Sequence, residues 1–174
     1  MAKSRNLDGA LADYRKTVAL FSAISSSDPN DADTRINLAA ANSKIADVLV
    51  LKGNTTAAME TYGQVLSVVE AFAHSAPPNV QAQYTVADTY AGMGNAELQQ
   101  AMRKSASTFQ QKADWAQARS WFQKSFQEWR QVRNPGVMSP GGFDTAGPSL
   151  AAQKLAACDA ALKQLDATST TAHQ

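Results

Sequence analysis

A chain of 174 residues can build one ordinary core or a short array of stacked repeats, and an apolar content of 44% excludes a wholly disordered polymer. Sixteen basic and fifteen acidic residues leave a formal charge of +1, so no overall field draws the chain to nucleic acid or to an anionic membrane surface. The longest apolar run, Val48–Leu51, is far short of the roughly 20 residues that cross a bilayer, and the N-terminus has no signal-peptide core, which favours a cytoplasmic location without fixing it.

Alanine is frequent, Gly and Pro are few and clustered, and β-branched runs are short, so helix is expected throughout. The first helix, about 7–26, places Leu7, Ala10, Leu11, Tyr14, Val18 and Phe21 at steps of three and four, giving one apolar stripe. A second, 31–52, starts near Asp31 or Asp33 and ends before Gly53 as a C-cap. A third, 55–74, stops at Pro77-Pro78, and its interior Gly63 is expected to face solvent. In the fourth, 80–104, Gly92 and Gly94 are expected to kink the helix or divide it.

The fifth helix, 108–133, has Ser107 or Thr108 as N-cap and sets Trp115, Ala118, Phe122, Phe126 and Trp129 along one side. The loop NPGVMSPGGFDTAG leads to a last helix, 148–165, with Pro148 in its first turn and a seam of Ala151, Leu155, Cys158, Leu162 and Leu165. Cys158 reads as a small core residue. Residues 1–166 form the expected domain, and 167–174 a disordered tail.

One pattern recurs: a polar turn, a small residue, and an aromatic four residues later. The small residues are Ala10, Ala58 and Ala118, and the aromatics Tyr14, Tyr62 and Phe122. Residues four apart share a helix face. The first two copies lie 48 residues apart, and the same shift aligns Ile36 with Tyr84, Leu38 with Val86 and Ile45 with Met93. The third aromatic follows the second by 60 residues, and the twelve extra residues are assigned to KSAST, 104–108. Two amphipathic helices repeated at such a period imply a helical solenoid, because one pair cannot bury both of its apolar faces alone.

The segment IADVLVLKGNTTAAMETYGQVL resembles the tetratricopeptide repeat (TPR). Ile45, Ala46 and Leu49 stand in its helix A places, Gly53-Asn54 in its turn, Ala58, Tyr62 and Val65 in helix B, and Pro77-Pro78-Asn79 in the closing turn; Asp28-Pro29-Asn30 is the earlier one. The unit is longer than usual and nearer the kinesin light chain type, and Arg119 and Ser125 depart from the other copies. The order WAQARSWFQKSFQEWRQVR, a Gly/Pro/Ser loop and AAQKLAACDAALKQL is similar to the C-terminal end of bacterial TPR proteins, including those following a eukaryotic-like serine/threonine kinase domain.

The resemblance implies an all-α, right-handed TPR-like solenoid of antiparallel helix pairs with a C-terminal capping helix. It further implies a scaffold or adaptor module, a fragment of a larger signalling protein, that takes up a peptide or partner helix on its concave face. That face would comprise Ile36, Ala40, Ser43, Asp47, Val50, Tyr84, Asp88, Ala91, Asn95 and Leu98. Ser43 and Ala91 occupy the places of a carboxylate-clamp lysine, with Asp47 and Asn95 in the asparagine places, so a mildly acidic groove suited to an apolar or basic peptide is expected.

Two histidines and no CxxC or HExxH offer no zinc site, and neither GxxxxGK[ST] nor GxGxxG is present, so neither metal, cofactor nor enzymatic chemistry is expected. Nucleic-acid binding and membrane insertion are likewise not expected. The competing expectation is a structural spacer or a homo-oligomer joined through the N-terminal helix, which reads as a helix B without its helix A.

Overall fold

The computed structural model describes residues 2–103, 106–132 and 147–171, with side chains from Asn6 to Thr168. Within them the chain is all-helical: α1 (Ala2–Ser27), α2 (Ala32–Leu51), α3 (Thr55–Ala73), α4 (Val80–Ala101), α5 (Thr108–Gln131) and α6 (Gly147–Thr171). Residues 104–105, Arg133 and the segment 134–146 of the expected connections lie outside the described residues, as do tail residues 172–174.

Capping sets the boundaries. The Asp31 carboxylate accepts from the backbone N–H groups of Asp33 and Thr34 and opens α2. The Thr34 hydroxyl donates to it as well, and that bond, with the backbone ones, holds its pKa below the ordinary value. At the far end Gly53, at φ 81, takes the left-handed conformation that an L side chain resists; its N–H donates to Val50 O, and that of Asn54 to Leu49 O. Asn54, Asn79 and Ser107 then cap α3, α4 and α5.

Consecutive helices pack on one another, and α2 also packs on α4. Their directions follow from which ends meet. Lys52 pairs with Asp8, Gln100 Nε2 donates to Thr55 Oγ1 at 2.7 Å, and Lys112 lies 2.9 Å from Asp166, so α1/α2, α3/α4 and α5/α6 are antiparallel. Ile36 and Ala39 share a cluster with Ala82 and Val86, whereas Ala46 and Val50 share one with Met93 and Ala96, so α2 and α4 run parallel.

The repeated small and aromatic residues of α3 and α5 are core: Ala58, Tyr62, Ala118 and Phe122 are all buried. Tyr62 lies between Ala46 of α2 and Gly92 of α4, and Phe122 between Gly94 of α4 and Cys158 of α6. α4 runs unbroken through Gly92 and Gly94, so the division expected there does not occur. They are small because rings lie on them: a Cβ on Gly94 would come 2.8 Å from the Phe122 ring.

Three other features differ from expectation. The extra length of the third unit is mostly helix, since α5 has ten residues ahead of Ala118 where α3 has three ahead of Ala58. α4 ends at Ala101 and α5 at Gln131, each short of its expected end, while α6 continues past Asp166 to Thr171, into the expected tail. The departures Arg119 and Ser125 have partners: Arg119 Nε donates to Asp159 of α6 at 2.5 Å, and the buried Ser125 hydroxyl donates to Ala87 O at 2.8 Å.

The two kinds of glycine predict opposite responses. Gly94→Ala, crowding a buried ring, is expected to cost about 1–3 kcal/mol. Gly63→Ala, where a Cβ meets nothing within 4 Å on an exposed helical surface, is expected to gain about 0.5–1 kcal/mol. Urea unfolding of both variants checks the pair; a neutral Gly94→Ala would contradict this packing.

Candidate functional site

Because α2 and α4 are parallel and both antiparallel to α3, they present equivalent faces side by side. Ser43 Oγ and Thr89 Oγ1, 3.3 Å apart, hydrogen-bond between them. Opposite α3 the two faces line a groove of about 940 Å³, within the size range of ligand pockets. Tyr14, Thr17 and Phe21 of α1 and Gly147, Leu150 and Lys154 of α6 also border it.

Seven of the ten expected concave residues line this groove: Ala40, Asp47, Val50, Asp88, Ala91, Asn95 and Leu98. The other three do not. Ile36 is fully buried with Val65, Val69, Ala82 and Val86, and Ser43 is consumed by its bond to Thr89. Tyr84 packs edge-on against Trp129, ring centroids 5.2 Å apart, near Ala151. On α2 the groove takes in Asn37, Ala41, Lys44 and Leu51 beside the expected Ala40, Asp47 and Val50, so Lys44 rather than Ser43 lines it, and its equivalent at the 48-residue shift, Gly92, does too.

Lys44 organises the floor. Its Nζ lies 3.3 Å from Asp47 Oδ2 and 3.6 Å from Asp88 Oδ2, joining the two helices. Tyr62, rising from α3 behind, donates its hydroxyl to Asp47 Oδ1 at 2.6 Å. Burial alone would lower the pKa of the Lys44 ammonium, but Asp47 and Asp88 overcome it and raise the value. Burial pushes the Tyr62 phenol up, and the neighbouring Asp47 carboxylate pushes it further.

The charged side chains that line the groove are Asp47 and Asp88 with Lys44 and Lys154. The wall also carries side-chain amides that the repeat alignment missed, Asn37, Gln81 and Gln99, each able to offer donors and an acceptor. Leu51, Met102 and Leu150 line the groove with exposed apolar side chains. The signal for Lys44 was present in sequence, since it precedes Asp47 by three positions and so shares its helix face.

Among the described residues no group of three or more His, Cys, Asp or Glu side chains converges as metal ligands would, and no helix is long and apolar enough to cross a membrane. Cys158 is buried against Ala118 and Phe122, and burial pushes its thiol pKa up. Comparisons with protein-family models, curated proteins and solved structures returned no match to this chain.

Lys44 and Tyr62 hold their protons more tightly in the fold than their ordinary values of 10.5 and 10.0. Their stabilising contribution is complete below the unfolded values and is lost as pH rises above about 10. Urea midpoints measured from about pH 9 to about pH 11 are expected to fall less steeply in Tyr62→Phe than in the parent chain. Equal slopes would contradict the Tyr62–Asp47 arrangement.

Proposed function

We propose that this chain is a protein–protein interaction module, a TPR-like right-handed helical solenoid whose concave face takes up a short peptide or partner segment. The observation that carries this reading is the groove itself: a concave site of about 940 Å³ walled by equivalent faces of two parallel helices. Apolar side chains supply area for desolvation, while amides and a charged floor supply orientation. The family reading is supported by the left-handed Gly53 turn, by the antiparallel pairs, and by the repeated burial of Ala58 with Tyr62 and Ala118 with Phe122. Lys44 is already engaged by Asp47 and Asp88, which argues against its serving as a clamp for a ligand carboxylate. No catalytic role is assigned to the module.

A second reading, self-association through α1, is supported by Leu20 and Ile24, which are 68% and 50% exposed on that helix. One pair of variants separates the two. Asn95→Trp is expected to fill the groove and abolish capture of peptides from a displayed random library, leaving the melting curve in place. Leu20→Lys is expected to leave capture intact. If Asn95→Trp binds as the parent does while Leu20→Lys converts a dimer to a monomer in light scattering, the groove reading fails and self-association replaces it.

A further inference from the structure

We propose that copies of this chain join head to tail, the outer side of α6 of one copy seated on the open side of α1 of the next, as α2 sits on α3 and α4 on α5 within a copy. This rests on the self-association reading and names the surface that meets α1; it asks nothing of what the groove binds. The repeated small and aromatic residues are the starting point. Ala58 with Tyr62 and Ala118 with Phe122 are buried, because α3 lies between α2 and α4, and α5 between α4 and α6. Ala10 and Tyr14 are only half-buried, because α1 packs on α2 and has no second such neighbour among the described helices. The 48-residue shift extends the comparison to Leu20 and Ile24, which correspond to Val68 and Phe72. Those two pack on the cluster that α2, α3 and α4 share, and the Arg35 guanidinium of α2 lies 5.1 Å over the Phe72 ring. Leu20 and Ile24 have no such cover and are exposed. The open side of α1 is therefore the side that α3 turns to α2.

What fits that side is a helix presenting small residues, since large side chains of one helix pack into the space that small ones leave on another. Ala39 and Ala46 of α2 do this for α3, and Ala87, Ala91 and Gly94 of α4 do it for α5. α6 has the same two-sided layout with its second side uncovered. It meets α5 through Ala151, Leu155 and Cys158, as α4 meets α3 through Ala82, Val86 and Met93. The rotation that leads on α4 from those residues to Ala87, Ala91 and Gly94 leads on α6 to Ala152, Ala156 and Ala160, all exposed. A symmetric pairing of two α1 helices would set Leu20 and Ile24 against each other, but would give Tyr14 none of the small residues that receive Tyr62 and Phe122. Because the two surfaces differ, the contact does not close at two copies: each added copy brings a fresh α1 and a fresh α6. The groove stays open, since Tyr62 borders it while lying between α2 and α4, and Tyr14 does the same beneath a docked α6.

The test is sedimentation velocity of the full chain over a concentration series, where species that grow past the dimer are expected; this arm needs no variant to fold. Two substitutions at exposed positions then block one surface each, Leu20→Lys on α1 and Ala156→Arg on α6. Each alone is expected to keep the parent's melting curve and to weaken association at least about tenfold. An equimolar mixture of the two is expected to form a one-to-one heterodimer and stop there, because one variant keeps its α6 side and the other its α1 side. A parent series that halts at the dimer, an Ala156→Arg variant that associates as the parent does, or a mixture that stays monomeric overturns this inference alone and leaves self-pairing of α1 in its place. A parent chain that is monomeric up to about 1 mM overturns the self-association reading beneath it as well. None of these outcomes bears on peptide capture by the groove.

Discussion

The structure depends on one steric arrangement: an aromatic ring on each returning helix, held between small residues on the helices before and after it. Tyr62 fills the space between Ala46 and Gly92, and Phe122 that between Gly94 and Cys158. Buried rings of this size supply much of the apolar area that opposes chain entropy. They also set how closely neighbouring helices approach. A larger residue at any of the four small positions would push adjacent helices apart, and the parallel alignment of α2 with α4 would go with it.

That alignment is what makes a groove. Since α3 and its ring lie on one side, the faces of α2 and α4 turned away from α3 have each other as neighbours and stand open between α1 and α6. The same Tyr62 links packing to electrostatics, because its hydroxyl passes between the helices to Asp47, and Asp47 in turn holds Lys44 against Asp88. Core and groove floor are therefore one connected unit. A disturbance at Gly92, which the ring covers, would be felt at the charged floor without any change to a groove-lining charge.

Much of this was legible in the sequence. Apolar stripes in the first, fifth and last helices, and caps and proline stops around the others, gave helix positions close to those observed, because amphipathic period and cap chemistry are local properties. Seven of the ten residues taken from the repeat resemblance line the groove, and the 48-residue shift relates those of α2 to those of α4. The reading failed where burial depends on what lies opposite. Ile36 and Tyr84 share a position in the alignment, yet both are covered by neighbours that only the assembled fold reveals. Gly92 and Gly94 have the local chemistry of a helix breaker, and only the rings against them show why glycine is needed. Lys44 was missed because the expected face left out the positions next to it, Asn37, Ala41 and Leu51 among them, which also line the groove.

The most direct test of the account is a two-dimensional amide NMR titration of the full chain with a peptide selected on it, mapping which resonances move. If the groove is the docking site, shifts concentrate on Ala40, Lys44, Asp88, Ala91, Asn95 and Leu98, with Ser67 and Gly63 on the exposed surface of α3 unmoved. Shifts confined to α3, or to the exposed face of α1 around Leu20 and Ile24, would contradict it.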